Sequence, residues 1–281
     1  ALNLSFFSTN KVEAKAFLID EIEISEKLLN NFNKDILINK GFKKGFQELM
    51  EKLVQSKDLY KLKDTKLNEI KSMVETFSIK EEKFINENYS LILGVSFNKK
   101  KIFNYLDSKN ISPTQIINEK FLFIPIIIDQ SNTDLLVFSN NPIYYNWKKK
   151  DKKSYLIDYI LPTEDLEDIN FLKKKYEVIE QYDFQEIIRK YGIRDSIIAL
   201  IFKDDKQLRV LSKISLNNNN ILKNQSYPNI NLNNDYEIDY IIKDLKIIYE
   251  DYWKNLNQIN TSIKLTINVK VDNSDNTKIS N

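Results

Sequence analysis

The sequence predicts an α/β protein in two parts: an α+β domain of order β-α-α-β-β-α, then a three-layer, mainly parallel α/β domain. Three observations carry this. Apolar residues recur at helical spacing from Asp35 to Val54, and residues alternate cleanly from Tyr89 to Phe97. Nearly continuous apolar runs at Phe121–Ile128 and Ser196–Phe202 call for strands covered on both faces. The 281 residues, 42% hydrophobic and 29% charged, contain enough apolar material for two cores.

In chain order, Val12–Ile24 partly alternates and is rich in branched residues, which predicts the first strand. The helix that follows sets Ile38, Phe42, Phe46, Leu49, Met50 and Leu53 on one face, built to pack on a sheet. Gly41 and Gly45 lie one turn apart inside it. Each costs about 1 kcal/mol relative to Ala in a helix, so both are expected where the helix backbone approaches a strand closely. A short helix over Thr65–Val74 precedes two strands, Glu75–Phe84 and Tyr89–Phe97, joined by the polar turn Asn86-Glu87-Asn88. In the second strand Tyr89, Leu91, Leu93, Val95 and Phe97 face one way, and Ser90, Ile92, Gly94 and Ser96 the other. Asn98 is placed to cap a helix through Leu106, and Ser112-Pro113 marks the end of the first domain, residues 1–112.

The second domain, residues 113–272, alternates strands with helices. Asn141 is placed to cap a helix with Pro142 at its first position. Asp183-Phe-Gln-Glu186 reads as a capping box opening a helix that Gly192 closes. Leu208–Leu216 adds a hairpin strand, and Asn217–Asn234 reads as a polar, Asn-rich loop. A long amphipathic helix then carries Ile238, Ile241, Ile242, Leu245, Ile248, Tyr249, Tyr252 and Leu256 as one stripe. Ser262–Val271 alternates as a last strand, and residues 273–281 form a polar tail.

Composition excludes more chemistry than it suggests. There are no cysteines and no histidines, which removes disulfides, thiolate nucleophiles, Cys/His zinc sites and imidazole bases. Only 4 glycines are present, and no Gly-rich turn follows a strand to cradle a phosphate. Ser-x-x-Lys occurs at Ser8/Lys11 and Ser96/Lys99 without the companion Lys-Thr-Gly, so no nucleophile is assigned. Lys and Arg number 42 against 40 Asp and Glu, and the Lys runs are balanced by nearby acids. They read as solvated faces and not as a nucleic-acid footprint. No apolar run approaches the roughly 18 residues of a membrane span, and the mean hydropathy is −0.43. The first residue is Ala1 and not Met, as in a matured exported protein or a trimmed chain. No cofactor, metal ligand or catalytic residue is expected.

Two groups remain as candidate binding residues. Asp165 and Asp168, in the cluster Glu164-Asp165-Leu166-Glu167-Asp168, follow the expected strand Tyr155–Leu161, where α/β ligand sites lie. The same carboxylates also suit a helix N-terminus, as caps and as partners of its dipole. Tyr144 and Trp147 share a helix face, with Tyr145 turned away, and could stack on a glycan or anchor a partner helix. Core filling is the commoner role for such a pair, and at least one of the group is expected in the core. A deep pocket between Leu161, Trp147 and Ile201 would favour ligand binding, whereas a closed surface with an exposed strand edge would favour docking of a protein.

Three stretches resemble a proteobacterial family catalogued as domain of unknown function 2066. They are Lys40-Gly-Phe-Lys-Lys-Gly-Phe-Gln-Glu-Leu-Met-Glu-Lys-Leu53, then Val74-Glu-Thr-Phe-Ser-Ile-Lys-Glu-Glu-Lys83 with Tyr89 and Val95-Ser-Phe-Asn98, and Leu161-Pro-Thr-Glu-Asp-Leu-Glu-Asp168 with Tyr191-Gly192. The resemblance spans most of residues 12–257. This chain departs from the family pattern in having Phe138 and Ile143 near Asn141-Pro142, where the family often places Trp, and in ending soon after Val271, which suggests a shortened C-terminus. At the level of fold, the first domain is similar to the N-terminal module of a flagellar assembly factor. The second is similar to the α/β module of TolB-type and curli-secretion-type periplasmic proteins.

The resemblance implies an exported protein of the periplasm or cell envelope. The expected function is a non-enzymatic interaction or assembly factor with an envelope protein partner, presenting sheet edges and the region of Trp147. The alternatives are a small-ligand or glycan-binding domain and, third, a hydrolase using paired carboxylates.

Overall fold

The computed structural model describes residues 17–27, 32–149, 155–204, 206–217 and 219–259. Within them the chain is an α/β protein with two sheets, the first with an apolar core on one face and the second with one on each face. The expected strand Ser262–Val271, the polar tail and the beginning of Val12–Ile24 lie outside the described residues.

The first sheet joins β1 (Leu18–Lys27), β2 (Val74–Ile85) and β3 (Asn88–Phe97), all antiparallel, with β3 in the middle. One face is covered by α1 (Lys34–Leu53). Asn33 opens this helix by accepting the Asp35 N–H, and Phe42, Phe46, Leu49, Met50 and Leu53 are buried as expected. The glycines lie where the periodicity placed them. A Cβ on Gly41 would sit 2.3 Å from Leu93 Cδ1, and one on Gly45 would sit 2.7 Å from Ile22 Cδ1. After α1, a 3₁₀ turn at Ser56–Leu62 leads to α2 (Leu67–Met73), which runs straight into β2. Asn86 and Glu87 both have positive φ, 49° and 61°, the geometry of a two-residue type I′ turn that matches strand twist. Asn98 then caps α3 (Lys99–Ser108) by accepting the Lys101 N–H.

The second sheet has β4 (Glu119–Asp129) and β7 (Asp195–Lys203) parallel at its centre. β8 (Gln207–Leu216) and β9 (Asn219–Pro228) extend it antiparallel beyond β7. On the other side of β4, β6 (Ile157–Ile160) pairs with its first half in parallel and β5 (Asp134–Leu136) with its end antiparallel. The sheet is therefore mixed and not mainly parallel. Tight returns after Asp129, Lys203 and Leu216 can only produce antiparallel neighbours. One face is covered by α7 (Asp235–Leu256); the other is covered by α5 (Leu166–Lys174), α6 (Gln185–Arg189) and the turns around them.

Two local expectations give way here. Asn219–Pro228 is a strand and not part of a loop: it pairs along its whole length with β8, and as an edge it tolerates Asn, Gln and Lys on its open side. The capping box at Asp183 does not form. Phe184 takes the left-handed conformation, φ 59°, which drops its ring into the core against Tyr182 at 4.7 Å. Burying that ring outweighs a regular helix start, and Asp183 is left accepting only the Gln185 N–H.

Pro125 sits in the middle of β4, a position that strands normally forbid. Its register partner is Ala199 on β7, and on the outer side it falls in the gap between β6 and β5. Asn141 fills that gap. Its Nδ2 donates to the carbonyls of Pro125 (3.0 Å) and Leu136 (3.2 Å). Its Oδ1 accepts from the N–H groups of Ile143 and Tyr144, which opens α4 (Pro142–Trp147).

The two halves meet where the C-terminal ends of α1 and α7 abut. Thr114 N–H donates to Leu53 O at 2.8 Å, and Gln115 N–H to Asn257 O at 2.9 Å. Lys254 of α7 donates to the carbonyls of Glu51 (2.6 Å) and Val54 (3.1 Å), setting a cation on the electronegative end of α1.

Candidate interaction site

The aromatic candidates turn out to be core residues. Trp147 is 5% exposed and stacks on Phe123 with ring centroids 3.9 Å apart. Tyr144 is buried too, its hydroxyl donating to Pro162 O at 2.6 Å. The two do not share an environment. A six-residue helix lying across the sheet margin delivers Trp147 to the core under α7 and Tyr144 to the core on the opposite face. Tyr145 is the exposed member. Leu161, Trp147 and Ile201 meet in packed side chains, so the pocket that a ligand-binding site at Trp147 requires is filled.

Asp165 and Asp168 are engaged in holding helices. Asp165 caps α5, its Oδ1 accepting from Glu167 N–H at 2.8 Å and Asp168 N–H at 3.4 Å. Lys190 Nζ, just beyond α6, lies 3.2 Å from Asp165 Oδ2 and 2.6 Å from the buried Asp168 Oδ1. The Glu167 N–H and then the Lys190 ammonium hold the Asp165 carboxyl below its ordinary range, while burial opposes them. The Lys190 pKa is raised, chiefly by its bond to Asp168. The arrangement ties α5 to α6.

Exposed apolar side chains concentrate instead on β2. This strand ends its sheet, with β3 on one side and no strand on the other among the described residues. Phe77 is 48% exposed, Ile79 37%, Phe84 61% and Ile85 59%. Phe42 of α1 steadies the Phe77 ring edge-on at 5.1 Å. Charged groups punctuate the same strand: Lys80 pairs with Asp20 of β1, Lys83 with Glu81 at 2.5 Å, and Glu82 with Lys34 at 2.9 Å. The pairing with β3 shifts register between Ile79 and Glu81, which marks a bulge at Lys80. β9 is the corresponding edge of the second sheet, and there Leu222 is the exposed apolar residue among Asn, Gln, Lys and Ser. The sequence marks β2 as a strand but does not say which strand ends the sheet.

A groove of about 480 Å³ opens between α1, the 3₁₀ turn and α2. Phe46, Met50, Leu62 and Ile70 form its floor, and Lys43 and Lys63 stand at its rim.

No protein-family model matches the chain. No curated protein matches it either. Among the described residues, no helix is long and apolar enough to cross a membrane.

Proposed function

We propose that the protein is a non-enzymatic interaction module that docks an extended strand of an envelope protein partner along β2. The observation that carries this reading is a twelve-residue strand that bears four exposed apolar side chains and has no strand on its outer side among the described residues. Such an edge is a template for main-chain pairing, with alternate side chains supplying selectivity. The engagement of Asp165 and Asp168 with Lys190 favours this reading over paired-carboxylate hydrolysis. The envelope setting rests on the family resemblance alone. A photo-crosslinking residue at Phe84 is expected to trap another polypeptide in intact cells, while the same residue at exposed Tyr236 of α7 does not. Equal trapping at both positions, or none at Phe84, retires the reading.

The groove between α1 and α2 supports a second reading, a binding site for a small anionic amphiphile with its chain on the apolar floor and its head between Lys43 and Lys63. The chain has two methionines, and Met50 lines the groove whereas Met73 does not. Titration of methyl-labelled protein with decanoate should move the Met50 signal and leave Met73 in place; no movement, or equal movement of both, excludes this reading.

A further inference from the structure

We propose that β2 pairs antiparallel with β2 of a second copy of this chain, Lys80 of each copy opposite Glu81 of the other, which joins two three-stranded sheets into one. This rests on the reading of β2 as the docking edge and names what docks there.

The argument begins with the faces of the strand. Partners on β3 place Phe77, Ile79, Glu82 and Phe84 on the face that α1 covers, opposite Val95, Leu93, Leu91 and Tyr89. Thr76, Ser78, Glu81 and Lys83 lie on the open face, opposite Ser96, Gly94, Ile92 and Ser90. Lys80 is the extra residue of the bulge. It also points to the open face, since it pairs with Asp20, and its Cε lies near the position a Cβ on Gly94 would take. Two successive residues, Lys80 and Glu81, therefore share a face, and the alternation of β2 jumps phase at its midpoint.

A regular strand laid along this edge can match faces on one side of the jump only; on the other side every side chain points the wrong way. A second β2 has its own jump in the matching place. With Lys80 against Glu81, Ile79 meets Glu82, Ser78 meets Lys83, Phe77 meets Phe84 and Thr76 meets Ile85. Every one of these pairs lies on a single face. The twofold axis then carries two Lys–Glu pairs, and each end carries a Phe–Phe pair, combinations that stabilise antiparallel neighbours. A slip of one residue either way sets Lys80 against Lys80 or Glu81 against Glu81 on the axis and loses the phase match as well. The bulge that guards this edge against arbitrary strands leaves one register open.

The chain has no cysteine, so engineered thiols report register directly. Ser78→Cys and Lys83→Cys, prepared separately and mixed with a short bismaleimide, should give a covalent dimer. Either variant alone should not, because like positions lie five residues apart along the strand, roughly 16 Å. In sedimentation, wild-type protein should shift from monomer to dimer with concentration. Lys80→Glu or Glu81→Lys should weaken the dimer about tenfold, and the double exchange should restore it, which separates charge matching from misfolding. A wild-type monomer at all concentrations, or equal crosslinking by each variant alone, overturns the proposal. If that monomer still crosslinks to a foreign polypeptide through Phe84 in cells, self-pairing fails while strand docking at β2 stands.

Discussion

Asn141 satisfies two helix N–H groups and two carbonyls of the sheet from a fully buried position. Removing its side chain leaves all four without that partner, so Asn141→Ala should lower stability by about 3 kcal/mol, read from urea denaturation. Asn141→Ser keeps a cap but cannot span the gap beside Pro125, and about half that loss is expected. A loss equal to that of Ala would show that the cap contributes nothing. At Gly41 two effects compete. Alanine gains about 1 kcal/mol of helix propensity, but its methyl group meets Leu93, itself fully buried, and overpacking of this kind costs about 2 kcal/mol. Gly41→Ala should therefore destabilise by about 1 kcal/mol; a stabilised variant would mean that the contact is loose. Both positions were legible in the sequence because cap chemistry and glycine spacing are local signals. Trp147 and Tyr144 were not placed by the same logic, since a helical wheel assumes one environment per face and α4 straddles two layers.

At the scale of elements, α1, the β2–β3 hairpin and α7 follow directly from periodicity, with bounds within a few residues of those expected. Neighbour relations do not follow, because alternation fixes the faces of a strand and leaves its lateral partners unspecified. The parallel core pair and the hairpin strand β8 were legible, whereas the antiparallel pairing of β5 with β4 was not, and β9 was hidden by its Asn content. The exposed margin of β2 was out of reach for the same cause. α7 holds a second hidden feature: Lys246, Glu250 and Lys254, one turn apart, are buried beside the apolar stripe. Glu250 accepts from the N–H groups of Leu156 and Ile157, and the Lys246 ammonium sits over the rings of Tyr155 (4.7 Å) and Trp147 (5.3 Å). Such positions look like a solvated flank until the partner surfaces are known. Lys254→Met keeps the stem and removes the donors to Glu51 and Val54, so about 2 kcal/mol should be lost. Calorimetry should then resolve two transitions where the parent shows one, and an unchanged single transition would count against Lys254 as the link between α1 and α7.

For the whole molecule, acid is the informative variable. Asp165 and Asp129 both have depressed pKa values. The cause at Asp165 is first the Glu167 N–H; at Asp129 it is first the Lys203 ammonium, aided by Asn132 and opposed by burial. A depressed carboxyl stabilises the fold above its unfolded pKa, near 4, and the contribution disappears as pH falls through the lower folded value. Denaturation midpoints should thus hold nearly level from about pH 7 to 5 and fall below about pH 4. Asp165→Asn retains the cap and loses the charge, so its decline should be shallower than that of the parent; an identical acid limb would remove Asp165 from the account. A core on one face of the first sheet and cores on both faces of the second could be read from the clean alternation in β3 and the unbroken apolar runs in β4 and β7. The junction could not, because it is made by backbone carbonyls and by residues such as Thr114, Gln115 and Asn257, which carry no periodic signal.

The phase jump in β2 also bears on solubility. Fibril growth adds identical strands without limit, each new layer repeating the alternation of the one beneath. β2, interrupted between Lys80 and Glu81, offers no alternating stretch longer than five residues, Thr76–Lys80 upstream and Glu81–Ile85 downstream. That is shorter than the roughly six-residue segments from which steric zippers grow. β2 can therefore leave apolar side chains at an open margin without presenting a segment of zipper length.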